Sequence, residues 1–202
     1  YVVSASDGHS RANVGRSSAE ACAQIADIAA IAHDAGVSVE VIISTSWDCP
    51  FDGPTPPQRV LEVVDAACER GADRIAIADT IGTATPGRVT DLVRLVRPHI
   101  GERPLGAHFH NTRGVGLASA WAAVSAGVTR LDSSVGGLGG CPFAPGASGN
   151  IATEDLVYLL ADSGVGVDID LAAAIDAARV ARSVVGHDLP RALLRAGDRV
   201  RG

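Results

Sequence analysis

Short runs of β-branched and aliphatic residues alternate along the chain with longer stretches in which apolar positions recur every three to four residues. The short runs fall at about residues 1–5, 39–44, 74–79, 105–109 and 129–135. Each is almost continuously apolar, the pattern of a strand buried on both faces in a parallel sheet. Helical periodicity occupies residues 17–35, 55–71, 86–100 and 115–127, and returns over 153–163 and 170–185. Pro86 behind Thr85 predicts a first helical turn after an N-cap, and Gly36, Gly71 and Gly127 follow the last apolar position of a helix as stop signals.

Strand, loop and helix repeating in this way make βα units with right-handed crossovers. Five such strands suit either a doubly wound α/β sheet or part of a (β/α)8 TIM barrel. The polar residues decide between them. Ser6 and Asp7, Ser44 to Ser46, Asp79 and Thr80, His108 and His110, and Ser133 and Ser134 all sit at the carboxyl ends of successive strands. Gathering reactive groups from many strand ends is how barrel sites are built. A doubly wound fold would concentrate them at one switch point, usually behind a phosphate-binding glycine turn, and no such turn follows the first strand. A full barrel takes roughly 250 residues and eight strands. The chain is therefore expected to be a single catalytic domain over residues 1–202 holding the C-terminal five or so βα units, with about three N-terminal units lying before Tyr1. The opening in mid-strand, without a methionine, agrees with that expectation.

Composition narrows the function classes. With 202 residues and 47% hydrophobic content the chain can bury a sizeable core. A net charge of −6 without basic clusters argues against a nucleic-acid ligand. No apolar run approaches the roughly 18 residues needed to span a bilayer, and no signal peptide opens the chain. The four cysteines (Cys22, Cys49, Cys68 and Cys141) show no CxxC spacing, and Cys22 and Cys68 fall on apolar helical faces, so a reduced, cytoplasmic protein is expected.

The segment Gly136-Gly137-Leu138-Gly139-Gly140-Cys141-Pro142-Phe143 sets a thiol at the tip of a glycine-rich loop. Glycines there allow a close approach of backbone to ligand, so Gly139 and Gly140 are candidate substrate contacts and Cys141 a candidate proton donor on a lid. His108 and His110 are spaced i, i+2 on a strand, which points both imidazoles to one side and suits a divalent metal. Asn150, on a loop before a helix, offers an amide oxygen as a third ligand. No carboxylate nearby in sequence completes the set. Asp79, ending an apolar strand, is either a cap for the next segment or an active-site acid or base, and the second is favoured. Arg11 and Asn13, on the long loop after the first strand, are candidates for an anionic group. The Cys49-Pro50-Phe51 echo is explained by turn chemistry. His9, His33, His99 and His187 read as loop or helix-surface residues with no assigned role.

From Asp132 through Gly136, Cys141 and Asn150 to Tyr158 the chain closely resembles the signature loop of 3-hydroxy-3-methylglutaryl-CoA lyases, metal-dependent TIM barrels related to isopropylmalate and homocitrate synthases. Asp79-Thr80-Ile81-Gly82 and His108-Phe109-His110-Asn111-Thr112-Arg113-Gly114 resemble strand-end motifs of the same family, and the similarity runs from Tyr1 to the last helices. The resemblance implies His108, His110 and Asn150 as ligands of Mg2+ or Mn2+, Cys141 as the catalytic loop cysteine, Asp79 as a catalytic carboxylate and Asn13 near the CoA moiety. His108 and Asp79 are both candidate bases. The family's first strand normally supplies an Arg-Asp pair, which is expected to precede Tyr1. Asn111 and Arg113 stand where the family commonly has Asp and Tyr.

The implied reaction is retro-Claisen cleavage of 3-hydroxy-3-methylglutaryl-CoA to acetyl-CoA and acetoacetate, as in leucine catabolism. A lyase for another branched 3-hydroxyacyl-CoA and a catalytically incomplete fragment are the alternatives. An acyl-CoA substrate is expected, with no nucleic-acid or membrane partner, and a homodimer is one expected assembly.

Overall fold

A computed structural model of the chain describes residues 1–140, 149–189 and 191–199. The chain begins with β1 (Val2–Ser4), α1 (Asp7–Val14), α2 (Ser18–Ala23) and α3 (Ile25–Asp34). Then come β2 (Glu40–Ser44), a two-strand hairpin of β3 (Asp48–Cys49) and β4 (Gly53–Pro54), α4 (Pro57–Glu69), β5 (Arg74–Asp79) and α5 (Pro86–Ile100). The last part holds β6 (Leu105–Phe109), α6 (Gly116–Ser125), β7 (Arg130–Asp132), a short 3-10 turn (Val135–Gly137), α7 (Thr153–Asp162), α8 (Leu171–Val185) and α9 (Ala192–Ala196).

The main sheet has the order β1-β2-β5-β6-β7 and every pairing in it is parallel. Each new strand is added on the same side of the last, so the order never reverses. A doubly wound sheet requires such a reversal; a barrel forbids it. The sheet is therefore an arc of a barrel wall, as the distribution of polar strand ends predicts.

Register fixes what each face carries. Val3, Ile43, Ile77, Ala107 and Leu131 are aligned across the sheet on one face. With Val41, Ile75, Leu105 and Phe109 this face packs beneath the helices and forms the principal core. The opposite face carries Val2, Ile42, Ala76, Gly106 and Arg130 in one row, and Ala78, His108 and Asp132 in the next. Val2 is 45% exposed, whereas Val3 is 2% exposed. The strands are thus not buried alike on both faces, which corrects the even burial that their apolar runs predict. Small and polar side chains on the inner face hid in those runs because alanine and glycine count as apolar.

Three further boundaries differ. Residues 7–14 form a helix, not the long loop expected after the first strand. Its first turn is tied down where Asp52 accepts from the Gly8 amide at 2.7 Å. The 17–35 helix is broken into α2 and α3 at Gln24, and α2 opens with a reciprocal capping box between Ser17 and Glu20. The last strand ends at Asp132 rather than 135, and Thr85 caps α5 by position only, without a side-chain hydrogen bond. No helix among the described residues is long and apolar enough to cross a membrane.

Phe109 sits at the end of β6 with 0% exposure and stacks obliquely on Trp47, ring centroids 5.8 Å apart. Phe109→Ala is expected to cost about 3–5 kcal/mol by combining lost burial with an unfilled cavity. Urea unfolding of the variant measures this, and a loss below about 1 kcal/mol would show that the outer core closes over the gap.

Candidate active site

β6 presents His108 on the inner face of the sheet, and His110 lies just past its end. The chain then leaves for α6 and β7, and returns at residues 149–151 to pair with the end of β6. The Asn111 amide donates to the Gly149 carbonyl at 3.0 Å and the Ile151 amide to the Phe109 carbonyl at 3.2 Å, an antiparallel bridge that sets Asn150 opposite His110. On its other side the same segment pairs with the chain beyond β7, where Ser134 donates to the Ile151 carbonyl. The three predicted ligands, 42 positions apart at the extremes, are therefore neighbours. The two imidazoles lie edge to face with centroids 5.0 Å apart.

Hydrogen bonds orient each of them. His110 Nδ1 lies 2.8 Å from the Asp79 carbonyl oxygen. A carbonyl only accepts, so Nδ1 carries the proton and Nε2 keeps its lone pair. Asn150 Nδ2 donates to the Leu138 carbonyl at 2.7 Å, which leaves Oδ1 as the side chain's acceptor, on the His108 ring. Burial, with a smaller electrostatic contribution from the neighbouring His110 ring and opposed by a hydrogen bond with the Asn150 side chain, lowers the His108 pKa to about 4. His108 is thus neutral at physiological pH, the form in which imidazole ligates a cation. Two imidazole nitrogens and one amide oxygen fit part of a divalent-metal ligand set. Among the described residues no group of three or more His, Cys, Asp or Glu side chains converges. The nearest carboxylate is Asp132, aligned with His108 across β6 and β7 and 3.9 Å from its Nδ1. Burial and neighbouring Glu40 push its carboxyl pKa upward, against Arg130. Sequence spacing hid Asp132 because parallel pairing, not proximity along the chain, brings it there.

His108 and His110 open into a cavity of about 250 Å³ whose floor is Val2, Ile42 and Ala78. Thr80, Asn13 and Gly140 also line it, so the predicted substrate contacts Asn13 and Gly140 reach the same space as the histidines. Asn13 does so from α1 rather than from a loop. Gly139 supports Asn150 instead: a Cβ there would stand 2.7 Å from Asn150 Nδ2. A Cβ on Gly149, whose φ is 86°, would fall on the carbonyl oxygens of Gly137 and Gly139. Arg11 is exposed on α1, 4.0 Å from Asp7, and does not line the cavity. Cys141 lies outside the described residues.

Asp79 reads in sequence as either a cap or an active-site acid or base, and its position bears on that choice. Its strand register turns the carboxylate to the outer, helix-covered face, where it is 1% exposed. Oδ1 accepts from the Thr83 amide at 3.0 Å and Oδ2 from the Ala84 amide at 2.9 Å. Burial still raises its pKa despite those amides. This geometry fits the capping alternative and not an acid or base touching substrate; Asp79 serves the site through its carbonyl on His110.

Several supports were not foreseen. Thr45, just past the end of β2, has φ 56°, a strained value for a β-branched residue, and its amide donates to Thr80 Oγ1 at 2.7 Å. The glycine turn is gripped from below. Arg191 donates to the carbonyls of Gly136 and Gly137, and Glu154 accepts from the Gly136 amide at 3.1 Å. His9, which sequence reading left without a role, is 5% exposed and lines the cavity.

Comparison with known proteins agrees with this geometry. The HMGL-like family matches residues 1–181. The (R)-citramalyl-CoA lyase of Chloroflexus aurantiacus is 41% identical over 97% of this chain and 62% of its own length. A hydroxymethylglutaryl-CoA lyase of Bacillus subtilis is 35% identical over 93% of this chain and 63% of its own. Among solved structures, an HMG-CoA lyase from Acinetobacter baumannii in complex with coenzyme A and 3-methylmalate superposes with a TM-score of 0.91 at 40% identity, covering 97% of this chain and 64% of that one. The chain thus spans just under two thirds of the length of these relatives.

Glu154 has 0% exposure and Oε1 without a hydrogen-bond partner among the described residues, and burial raises its carboxyl above the ordinary value of 4.5. A carboxyl whose pKa is raised on folding binds its proton more tightly in the native state. Its stability contribution is therefore largest below the ordinary value and declines as pH rises from there through the raised one. Glu154→Gln is expected to abolish that decline. Urea unfolding at intervals from about pH 4 to 8 measures it, and an unaltered slope would assign the effect to another group.

Proposed function

The chain belongs to the HMGL-like family, and on that premise we propose that the protein is a divalent-metal-dependent lyase breaking a carbon–carbon bond in a tertiary 3-hydroxyacyl-CoA. The observation that carries the proposal is the convergence of His108, His110 and Asn150, each fixed by a hydrogen bond or burial, at one cavity. Lyases of this family generally depend on a divalent metal.

In this reading the five strands are an arc of an eight-stranded barrel, and the remaining strands of the polypeptide supply a carboxylate to the metal. His108, His110 and Asn150 would hold Mg2+ or Mn2+, which would supply polarisation of substrate oxygens and a lower barrier to losing the hydroxyl proton. The C2–C3 bond breaks, its electron pair stays on the CoA fragment as an enolate, and the carbinol carbon becomes a ketone. The proton lost from the hydroxyl is balanced by one gained at C2, which Cys141 on the glycine loop delivers. Ile42 and Ala78 present an apolar surface to the branched carbon. Asn13 and Gly140 face the CoA side, and the free thiols Cys22, Cys49 and Cys68 suit a reducing cytoplasm.

Two substrates compete. 3-Hydroxy-3-methylglutaryl-CoA is the first reading, and (R)-citramalyl-CoA, shorter by one methylene, is favoured by the 41% identical relative. A methylene in an apolar pocket is worth about 10- to 200-fold in kcat/KM, so steady-state assays with both thioesters on the full-length protein separate them. Failure to cleave either in the presence of Mg2+ or Mn2+ would overturn the proposal.

His110→Ala is expected to weaken Mn2+ binding at least about tenfold. Cys141→Ala should fold and bind metal normally yet lose most turnover. Metal titration and single-turnover kinetics test the pair, and full activity of the cysteine variant would remove its assigned role.

A further inference from the structure

Leu138 faces two ways. Its carbonyl accepts from Asn150 Nδ2 at 2.7 Å, and the Asn150 side chain in turn meets the His108 ring. Its own side chain packs with Val135 against a small apolar cluster of Ala178, Leu189 and Leu194, separate from the principal core. Ala178 belongs to α8 and Leu194 to α9, while Leu189 falls between the two helices in the chain. Leu189 and Leu194 are both buried.

Arg191 closes the seam beside that cluster. It is buried, and its guanidinium donates to the carbonyls of Gly136 and Gly137. The contact is close. A Cβ on Gly137 would fall on the guanidinium, and one on Gly136 would stand 2.6 Å from Leu189 Cδ1. Asp155 accepts from the amides of Ala192 and Leu193, which anchors the start of α9 to α7. Contacts therefore run from Leu189 and Arg191, through the glycine turn and Leu138, to Asn150 and His108. Packing alone would explain the apolar cluster, but not a buried guanidinium committed to two carbonyls of the turn that carries the partner of Asn150. So small a cluster also opens at lower cost than the sheet, because regions with few buried apolar contacts need least free energy to unfasten.

We propose that Leu189 and Arg191 are positioning residues for Asn150. Docked beneath the glycine turn, they hold the Leu138 carbonyl where it orients the Asn150 amide, and the affinity of the site for a divalent cation depends on that docking. Such a coupling is reciprocal. A cation that gains from an ordered Asn150 must stabilise the docked state of α9, although α9 contributes nothing to the lining of the cavity. The dependence on a cation rests on the lyase reading; the hold on Asn150 does not.

The test uses the full-length protein with two readouts, Mn2+ titration and amide hydrogen exchange. Arg191→Met is expected to weaken Mn2+ binding by about 5- to 150-fold. It should also speed exchange over residues 134–138 and 149–153, while residues 74–79 and 105–109 keep their rates. Arg191→Lys, which restores a cationic donor, should recover most of the Mn2+ affinity. In the wild-type protein saturating Mn2+ should slow exchange over residues 192–196, and in Arg191→Met it should not. Unchanged Mn2+ affinity in Arg191→Met would overturn the proposal. So would faster exchange throughout the sheet, the mark of a merely structural role. Leu189→Ala opens the same seam from its apolar side and takes the place of Arg191→Met if that variant does not fold. Failure of both to fold would also overturn the proposal, by making these residues part of the global core. Wild-type protein that binds no Mn2+ would reject the lyase reading and the cation dependence with it. Exchange over residues 149–153 then decides the rest: faster rates in Arg191→Met sustain the hold on Asn150, and unaltered rates end it.

Discussion

The backbone of residues 149–151 runs antiparallel to the end of β6, and on its other side joins the chain leaving β7. Two strand ends are closed by one extended segment, and every candidate ligand takes its position from that junction. His110 and Asn150 become opposite partners because they face each other across the bridge. The fit tolerates no side chain at Gly149, since its Cβ would occupy the space of two carbonyl oxygens of the glycine turn. Small residues therefore concentrate here for steric reasons before any chemical role is considered.

Around that junction, polar groups are arranged so that the site is neutral and preoriented. The Asp79 carbonyl fixes the His110 tautomer, the Leu138 carbonyl fixes the Asn150 amide, and burial keeps His108 unprotonated. The outer ring of partners is mostly backbone, which moves less than side chains do. Under the proposed function, such fixed partners reduce the reorganisation needed to bind a cation and substrate. Below the site, a second set of charged residues performs mechanical work. Arg191 and Glu154 hold the glycine turn, while Asp155 accepts from the amides of Ala192 and Leu193 and so ties α9 to the start of α7.

Residue type and periodicity carried much of this information. The five strands, the helices between them and the barrel-type gathering of polar strand ends were legible because burial writes an apolar period into the chain. His108, His110 and Asn150 were legible because imidazole and amide groups at strand ends have few structural uses. Asp79 keeps two readings in sequence since a carboxylate at a strand end reads the same whether it faces the cavity or the covering helices. One residue of strand parity separates the two, and register alone fixes parity. His9 was passed over for the complementary reason: a histidine in a polar segment looks exposed until α1 folds it beneath the hairpin and against Ser4.

What the sequence by itself determined is the fold class, the order of its units and the chemical types available at the mouth of the barrel arc. These follow from local periodicity and from side-chain chemistry, both of which are properties of short stretches of chain. Tertiary structure alone decided which of those groups meet. The pairing of Asp132 with His108, the turning away of the Asp79 carboxylate and the hydrogen-bonded run of Ser44, Ser4 and His9 all arise from contacts between strands or from the docking of α1. Parallel pairing brings together residues about thirty positions apart, and no local signal records which of them will share a face.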